Sequence, residues 1–192
     1  MLEKLHPTIA CCGLDCGLCP SYHIDGTSKC PGCFGPNFSL KHPSCGVMTC
    51  CAKKKDLEVC ALCEDFPCAK IENRLDSPVD SILTYKNLRT NLTSIQQKGL
   101  APFLDQQKQR IDLLETMLRE FNDGRSKCQY CLAATLLPIE GLEQIIQEMD
   151  TEIAAISKDS KDKKIAARLL KDRLNALAAE EGIELKLRKK TR

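Results

Sequence analysis

Bulky aromatic side chains are scarce in this 192-residue chain. It has no tryptophan, three tyrosines and five phenylalanines, so aromatic residues make up 4% of the sequence, although hydrophobic residues of all kinds reach 43%. The overall hydrophobic content suits one globular domain with a small additional module. A segment without large apolar groups buries little surface of its own, so it needs a second source of folding free energy.

Hydrophobic segments of two kinds are also missing. The first ten residues contain no apolar stretch of signal-peptide length, because Glu3, Lys4 and Pro7 interrupt it. Elsewhere no uninterrupted apolar run approaches the roughly 18 to 20 residues that a transmembrane helix requires. We therefore expect a cytoplasmic protein without a membrane partner, in a compartment that keeps thiols reduced.

Strong net charge and the common catalytic motifs are absent as well. The formal charge is +2, and we interpret the five positive charges of residues 186–192 as a solvated terminus, so we expect no nucleic-acid partner. The chain has no glycine-rich phosphate loop and no nucleophile with an evident base, and Glu64, Asp65 and Glu72 are interpreted as surface charges. The sequence favours a protein that is not an enzyme and leaves its protein partner and oligomeric state open.

Cysteine is the residue that the chain has in excess. Twelve of its fourteen cysteines fall between Cys11 and Cys68, in the arrangement C-C-x3-C-x2-C, C-x2-C, C-x4-C-C and C-x2-C-x4-C. A C-x2-C pair lets two thiolates of one short turn bind a single ion, as in structural zinc and iron–sulfur sites. Several such pairs predict a segment in which metal supplies most of the folding free energy. Disulfides and redox-active thiols are the alternatives, and a cytoplasmic location disfavours disulfides.

The number of thiols predicts the number of sites. Cys11 and Cys51 each belong to a Cys-Cys doublet, and adjacent residues seldom both reach one ion, so we set these two aside. The ten remaining thiols fill two four-ligand sites and leave two over. They are Cys12, Cys16, Cys19, Cys30, Cys33, Cys45, Cys50, Cys60, Cys63 and Cys68. His23 and His42 could raise the number of sites to three, His42 through its spacing from Cys45, but two sites are the simpler interpretation.

The same pattern bears on which metal is bound. Paired C-x2-C elements far apart in sequence favour zinc. The run Cys12-x3-Cys16-x2-Cys19 has the spacing with which radical S-adenosylmethionine enzymes hold a 4Fe-4S cluster, but the chain lacks the alternating strands and helices of their barrel. We predict zinc, with a 4Fe-4S cluster as the alternative.

The rest of the chain has helical periodicity. Residues 1–76 are rich in Cys, Pro and Gly without regular periodicity, so we expect an irregular, metal-stabilised, cysteine-rich head. An all-α body should follow, with a helical hairpin and further helices in residues 77–150 and a charged helix with a basic tail in residues 151–192. Residues 183–188 alternate apolar and charged side chains, which predicts a possible short C-terminal strand.

Caps and apolar spacing predict the individual helices. The first two should run from Ser77-Pro78 to Gly99 and from about Pro102 to Asn122, and should pack as an antiparallel hairpin. The others should run from Cys128 to Leu137, from Pro138 onward, and from about Asp162 to Glu181.

Cys128 and Cys131 form one further C-x2-C pair, at the start of a predicted helix. Three interpretations fit: a further metal-binding pair, a redox pair of the thioredoxin type, or two buried thiols packed beneath helices. No parallel-sheet pattern surrounds the pair, so we favour two buried thiols.

The cysteine motifs resemble those of a known family. Cys12-Gly-Leu-Asp-Cys16-Gly-Leu-Cys19-Pro20, Cys30-Pro-Gly-Cys33 and Cys60-Ala-Leu-Cys63-Glu-Asp-Phe-Pro-Cys68 resemble the bacterial and archaeal proteins known as domain of unknown function 3795. The likeness is specific over about residues 8 to 75 and extends through Gly99-Leu-Ala-Pro-Phe-Leu and Asn122-Asp-Gly-Arg125. It implies a cytoplasmic protein of an anaerobic prokaryote whose head binds metal, and it implies no activity. The family pattern has serine where this chain has Cys128, which argues against Cys128 as a ligand.

These observations predict a zinc-finger-like protein that acts as a binding or scaffold module. An iron–sulfur or thiol redox protein that supports electron transfer or an enzyme partner is the first alternative. A nucleic-acid-binding zinc protein is the second.

Overall fold

The structure, a computed structural model, describes residues 4–42, 45–153 and 160–189. Those residues contain α-helices and no β-strand, in agreement with the predicted helical body. The helices are α1 (Phe38–Lys41), α2 (Gly46–Met48), α3 (Ala69–Leu75), α4 (Leu88–Lys98), α5 (Leu100–Glu120), α6 (Lys127–Leu136), α7 (Ile139–Ile153) and α8 (Ser160–Glu180). None of the described helices is long and apolar enough to cross a membrane.

Short helical turns make up the cysteine-rich head. Helices α1, α2 and α3 lie in it, and the longest of them has 7 residues. A π-helical stretch, Thr49–Lys54, continues α2, and 3₁₀ turns cover Cys16–Leu18 and Cys60–Leu62. The irregular architecture agrees with the sequence, whereas its stabilisation by metal stays a prediction.

The head shares its apolar core with the helices that follow it. One hydrophobic cluster contains Ile9, Val59 and Ile71 of the head, Leu88, Leu92 and Ile95 of α4, and Phe103 of α5. Helix α4 lies against the 3₁₀ turn Cys60–Leu62. The apolar stripe that predicted a hairpin between α4 and the next helix therefore packs on the head, because the head is too poor in large apolar groups to complete a core alone.

The chain divides into two compact units. The first spans Met1–Gln107 together with Leu187–Arg192, and the second spans Lys108–Lys186. This division lies inside α5, because the shared cluster joins α4 and the start of α5 to the head. The boundaries at residues 76 and 150 stay predictions.

Two glycines of the cysteine motifs allow close packing in the first unit. Gly13 has a φ of +84°, and a Cβ there would lie 2.8 Å from Cγ of Leu92. Gly32 has a φ of +82°, and a Cβ there would lie 2.1 Å from the carbonyl oxygen of Pro7. Both positions combine a left-handed backbone with a neighbour closer than any side chain tolerates, so only glycine fits.

The second unit contains the later part of α5 and helices α6, α7 and α8. Its core includes Tyr130, which is fully buried and donates its hydroxyl to the carbonyl of Phe121 at 3.0 Å. Arg110 Nη1 donates to the carbonyls of Ala134 and Leu137 at 2.7 and 2.8 Å, so a cation satisfies the C-terminal carbonyls of α6. The described ends of α5 to α8 lie within a few residues of the predicted ends.

The first predicted helix begins later than expected. Helix α4 begins at Leu88 rather than at Ser77. The carboxylate of Asp80, whose side chain is fully buried, accepts a hydrogen bond from the Tyr85 backbone N–H at 2.8 Å. It also accepts bonds from the backbone N–H of Arg188 at 2.7 Å and from Arg188 Nη2 at 2.8 Å. These bonds hold the segment before α4 as a loop.

The prediction of a C-terminal strand is wrong for the same reason. Residues 183–189 form no strand. The Asp80 backbone N–H donates a hydrogen bond to the Arg188 carbonyl at 3.0 Å. The Arg188 backbone N–H, however, donates to the Asp80 carboxylate, whereas in a sheet it would donate to the backbone of a neighbouring strand. The alternating residues 183–188 therefore end in hydrogen bonds between Arg188 and Asp80 and do not pair with a neighbouring strand.

We expect Leu92→Ala and Leu114→Ala each to lower the free energy of unfolding by about 2 to 5 kcal/mol, because both side chains are fully buried. Urea unfolding followed by circular dichroism measures the change. Ile165→Ala, at a position 57% exposed on α8, is the control and should change it by less than about 0.5 kcal/mol. Losses at Leu92 and Leu114 as small as the control would show that neither belongs to a core.

The Asp80–Arg188 pair should make stability depend on pH. Burial alone raises the pKa of Asp80, but the hydrogen bonds from Arg188 and from the Tyr85 backbone outweigh it and hold the pKa below its usual value. The carboxylate therefore stabilises the fold above pH about 4, and this contribution is lost as pH falls through the lowered pKa.

We expect Asp80→Asn to cost about 1 to 3 kcal/mol at neutral pH. The difference from the unsubstituted protein should shrink towards zero in acid, as measured by urea unfolding at a series of pH values. A difference that is the same at every pH would show that the charge of Asp80 does not contribute.

Candidate metal centre

Two 3₁₀ turns bend two of the C-x2-C pairs in the same way. The N–H of Cys19 donates to the carbonyl of Cys16 at 3.1 Å, and the N–H of Cys63 donates to the carbonyl of Cys60 at 3.0 Å. Each turn thereby puts both cysteines of a pair on one tight bend. Backbone N–H groups also reach the thiols directly, as those of Ser21 and Tyr22 do at Cys19. Such N–H···S bonds are typical of metal-binding knuckles.

Four predicted ligands from separate parts of the head line one cavity. Cys50 belongs to the π-helical stretch, Cys60 and Cys63 bracket the second 3₁₀ turn, and Cys68 precedes α3. The cavity measures about 50 Å³, which is room for an ion with a water molecule or two. We call these four residues the cavity thiols.

Four further predicted ligands are linked through their electrostatic neighbours: Cys12 has Cys33 and Cys45 as neighbours, and Cys16 has Cys33, Cys12 and also Cys19. Burial raises the pKa of Cys16 well above its usual value, and the neighbouring thiols of Cys33 and Cys12 raise it further. Burial likewise raises the pKa of Cys12 to about 11, with contributions from Cys33 and Cys45. Such thiols are neutral unless a cation favours the thiolates. We call Cys12, Cys16, Cys33 and Cys45 the loop thiols.

An arginine faces the loop thiols. Arg74 Nη2 donates to Sγ of Cys45 at 3.9 Å, while its Nη1 donates to the Tyr85 hydroxyl at 3.2 Å. Burial alone would raise the pKa of Cys45, but backbone N–H groups and Arg74 outweigh it, so the pKa lies below its usual value. Cys45 is therefore the loop thiol that its surroundings already favour as a thiolate.

Cys19 and Cys30 are the two remaining predicted ligands, and Cys30 lies beside a histidine. Sγ of Cys30 is 3.1 Å from Nε2 of His42. Burial, and then the Cys30 thiol, raise the pKa of Cys19. The sequence pointed to His42 through its spacing from Cys45, whereas the contact is with Cys30, 12 positions earlier. No periodicity indicates this pair, because it depends on how the intervening loop folds.

The two thiols that the prediction set aside are core residues. Cys11 is 1% exposed and Cys51 is 3% exposed. Cys51 donates its thiol to the carbonyl of Leu57 at 3.3 Å, and Cys11 shares hydrogen bonds with Cys33 and Cys51. Both thiols thus have partners inside the protein, and their exclusion from metal binding stays a prediction.

The remaining candidates lie elsewhere. His23 Nε2 is 2.7 Å from the Gly17 carbonyl, so this histidine contacts the turn between Cys16 and Cys19. Cys131 is fully buried and Cys128 is exposed, so the interpretation of two buried thiols is correct for Cys131 alone.

The donor set fits a thiophilic metal, but the ligands are not prearranged. All fourteen cysteines are free thiols. Over residues 4–42, 45–153 and 160–189, no group of three or more His, Cys, Asp or Glu side chains is already arranged to hold a metal ion. Metal binding therefore requires the thiols of a group to converge.

A buried carboxylate ties the motif Cys12-Gly-Leu-Asp-Cys16 to the helices. Asp15 Oδ2 accepts a hydrogen bond from Asn91 Nδ2 of α4 at 2.7 Å, and Oδ1 accepts one from Gln107 Nε2 of α5 at 2.9 Å. Asn91 also donates to the Gly13 carbonyl at 2.9 Å. The loop that carries two loop thiols is thus fixed by neutral amide donors. No local pattern singles out Asp15, because its partners are 76 and 92 residues away.

Comparison with known proteins supports the resemblance in the head. Residues 8–73 match the family model described as Protein of unknown function (DUF3795). The match contains all twelve cysteines between Cys11 and Cys68, and it confirms the resemblance over this part of the chain. No curated protein and no solved structure matches the chain.

We expect Asp15→Asn to lower the free energy of unfolding by about 1 to 3 kcal/mol, although the two side chains have the same shape. The new amide would turn a donor towards the amide donors of Asn91 and Gln107 and leave buried groups unsatisfied. Asp25→Asn, at an exposed position of the same segment, is the matched control. If urea unfolding gives equal values for the two variants, the Asp15 network does not stabilise the head.

Proposed function

We propose that the cysteine-rich head binds two zinc ions, one through the cavity thiols and one through the loop thiols. On this head the protein acts as a cytoplasmic binding or scaffold module. The observation that carries the proposal is the cavity, which Cys50, Cys60, Cys63 and Cys68 reach from separate segments. Two groups of four thiols match the ligand number of closed structural zinc sites.

The size of the cavity favours zinc over the 4Fe-4S alternative. Thiolates bind both, so ligand type alone does not distinguish them. A cavity of about 50 Å³ suits one ion better than a cluster of four irons and four sulfides. When bound, zinc would supply cross-links between the segments, and the chain would supply the thiolates and their hydrogen bonds.

Nearby cations support buried metal–thiolate centres. A zinc ion with four thiolates has two excess negative charges, whose burial is costly without positive partners. Lys4, with a side chain 1% exposed, is an electrostatic neighbour of Cys33, and Arg74 is one of Cys12 and Cys45. Lys55 is a neighbour of Cys63 among the cavity thiols, and it also pairs with Asp65, which lines the same cavity. Each group of thiols therefore has at least one cation beside it.

A closed four-thiolate site is structural, which is why we propose a scaffold rather than an enzyme. The partner is a protein whose identity the surface does not specify. The nucleic-acid alternative has less support, because Arg188, one of the five cations in residues 186–192, is bound to Asp80.

Metal analysis of protein purified without oxygen tests the proposal. We expect at least two zinc ions per chain in a colourless protein. Cys16→Ser and Cys60→Ser should each remove about one equivalent, because each takes one ligand from a different group. Cys51→Ser should retain the metal although Cys51 also lines the cavity, since serine can still donate to the Leu57 carbonyl. Cys128→Ser, at an exposed position of the second unit, is the control.

A brown protein with equal amounts of iron and sulfide would contradict zinc and support the 4Fe-4S cluster. Protein without metal, or equal metal loss in Cys51→Ser and Cys60→Ser, would contradict the proposed ligands.

Removal of the metal should disorder the head and loosen α4. The two share one apolar cluster, which cannot offset the chain entropy of residues 4–76 alone. After strong chelation we expect limited proteolysis to cut first before residue 108, while circular dichroism keeps the helical signal of the second unit. Unchanged proteolysis after the metal is shown to be gone would mean that the head folds without it.

A further inference from the structure

Cys30 and His42 form a pair that the two proposed zinc sites do not use. Their ligating atoms, Sγ and Nε2, are 3.1 Å apart. The His42 ring is held in place, because it stacks on Phe38 with a centroid distance of 4.5 Å and an angle of 12° between the planes. The His42 backbone N–H also donates to the Phe38 carbonyl at 3.0 Å, where it ends α1. The ring is thus oriented by its surroundings with a nitrogen facing a thiol.

Cys19 is the third member of this neighbourhood. The backbone N–H of Cys30 donates to the carbonyl of Ser21 at 2.8 Å, and that of Tyr22 donates to the carbonyl of Cys19 at 2.9 Å. These bonds hold the segment of Cys30 against the turn that follows Cys19. The two thiols are electrostatic neighbours, and Cys19 is also a neighbour of Cys16 in its own turn. They are also the only two of the ten predicted ligands that the cavity thiols and the loop thiols leave over.

The distances suit a shared ion. With bonds of about 2.3 Å to sulfur and about 2.0 to 2.1 Å to nitrogen, two ligands of one tetrahedral zinc stand about 3.6 Å apart. Sγ of Cys30 and Nε2 of His42 are closer than this by about half an ångström, so a small rotation of one side chain admits the ion.

We propose that Cys19, Cys30 and His42 form a third zinc site, with two thiolates, one imidazole and a fourth coordination position open to an external ligand. Three protein ligands with an open position characterise reactive rather than structural zinc. The inference rests on the proposed function, because it assigns the two thiols that the structural sites do not use.

The surroundings favour a small anion as the fourth ligand. Zinc with two thiolates and a neutral imidazole has no net charge, so neighbouring side chains decide the local potential. Lys29 precedes Cys30 and lies over the Tyr22 ring at 5.4 Å. Lys41 precedes His42, and its Nζ donates to the carbonyls of Thr27 and Lys29 at 2.7 and 2.6 Å. The two exposed ammonium groups attract an anion such as azide, carboxylate or an external thiolate.

Three variants of His42 separate ligation from packing. His42→Phe keeps the ring that stacks on Phe38 but removes the nitrogen, so we expect zinc to fall from three equivalents per chain to two. His42→Cys restores a ligand without the ring and should retain about three. His6→Ala removes a histidine elsewhere in the head and should also retain three. Circular dichroism of each variant verifies that the head is folded.

The counts distinguish the two proposals. Two zinc ions in both the unsubstituted protein and His42→Phe would overturn the third site and leave the proposed function intact. An unsubstituted protein without zinc would overturn both. Loss of one ion in His42→Phe and in His42→Cys alike would assign His42 a packing role and also overturn the third site.

Cobalt in place of zinc tests the open position. Titration of the fully loaded cobalt protein with azide should shift part of the visible d–d spectrum, corresponding to one of three sites. His42→Phe, with its two closed sites, should show no shift. An unsubstituted protein that holds three cobalt ions and does not respond to azide has a closed third site, which would overturn the open coordination position.

Discussion

The arrangement of the head depends on the buried carboxylate of Asp15. It lies inside the motif Cys12-Gly-Leu-Asp-Cys16, and it binds helix α4 through Asn91 and helix α5 through Gln107. A buried carboxylate requires donors, and two neutral amides satisfy it without placing a cation next to the thiols. Asp15 therefore fixes the loop on the helices while the positive charge of Arg74 stays directed at Cys45 and Cys12. Asp15 thus adds a polar link to the apolar cluster that already joins the head to α4 and α5.

Features of the chain that depend on neighbouring residues could be predicted from the sequence. The spacing of apolar residues predicted the long helices, because residues on the buried face of a helix recur every three to four positions. The glycines between cysteines predicted tight bends. Gly13 and Gly32 have the left-handed backbone that such bends require. The start of α4 was predicted wrongly because a serine-proline cap is a local signal, whereas the Asp80 carboxylate binds Arg188, 108 residues away.

The grouping of the thiols could not be read from spacing for a similar reason. Cys50 and Cys68 line one cavity because the π-helical stretch and the start of α3 fold around the turn that begins at Cys60. Spacing limits which thiols of one turn share an ion, but it carries no information about which turns meet. His42 shows the same limit, since its nearest cysteine in sequence is Cys45 and its contact is Cys30. The choice of Cys11 and Cys51 as non-ligands used only their adjacency, and both residues lie in the core.

The Asp80–Arg188 contact also has a consequence for the order of synthesis. The first unit is discontinuous, because it takes residues from both sides of the second unit in the chain. A ribosome releases the head and α4 well before it makes Arg188, so during most of translation Asp80 has no guanidinium partner and the second unit can fold first. The head is therefore made before the second unit, but its unit is completed only after the second unit has been made. A nascent chain that already held metal would keep the early segments together until the C-terminal residues arrived.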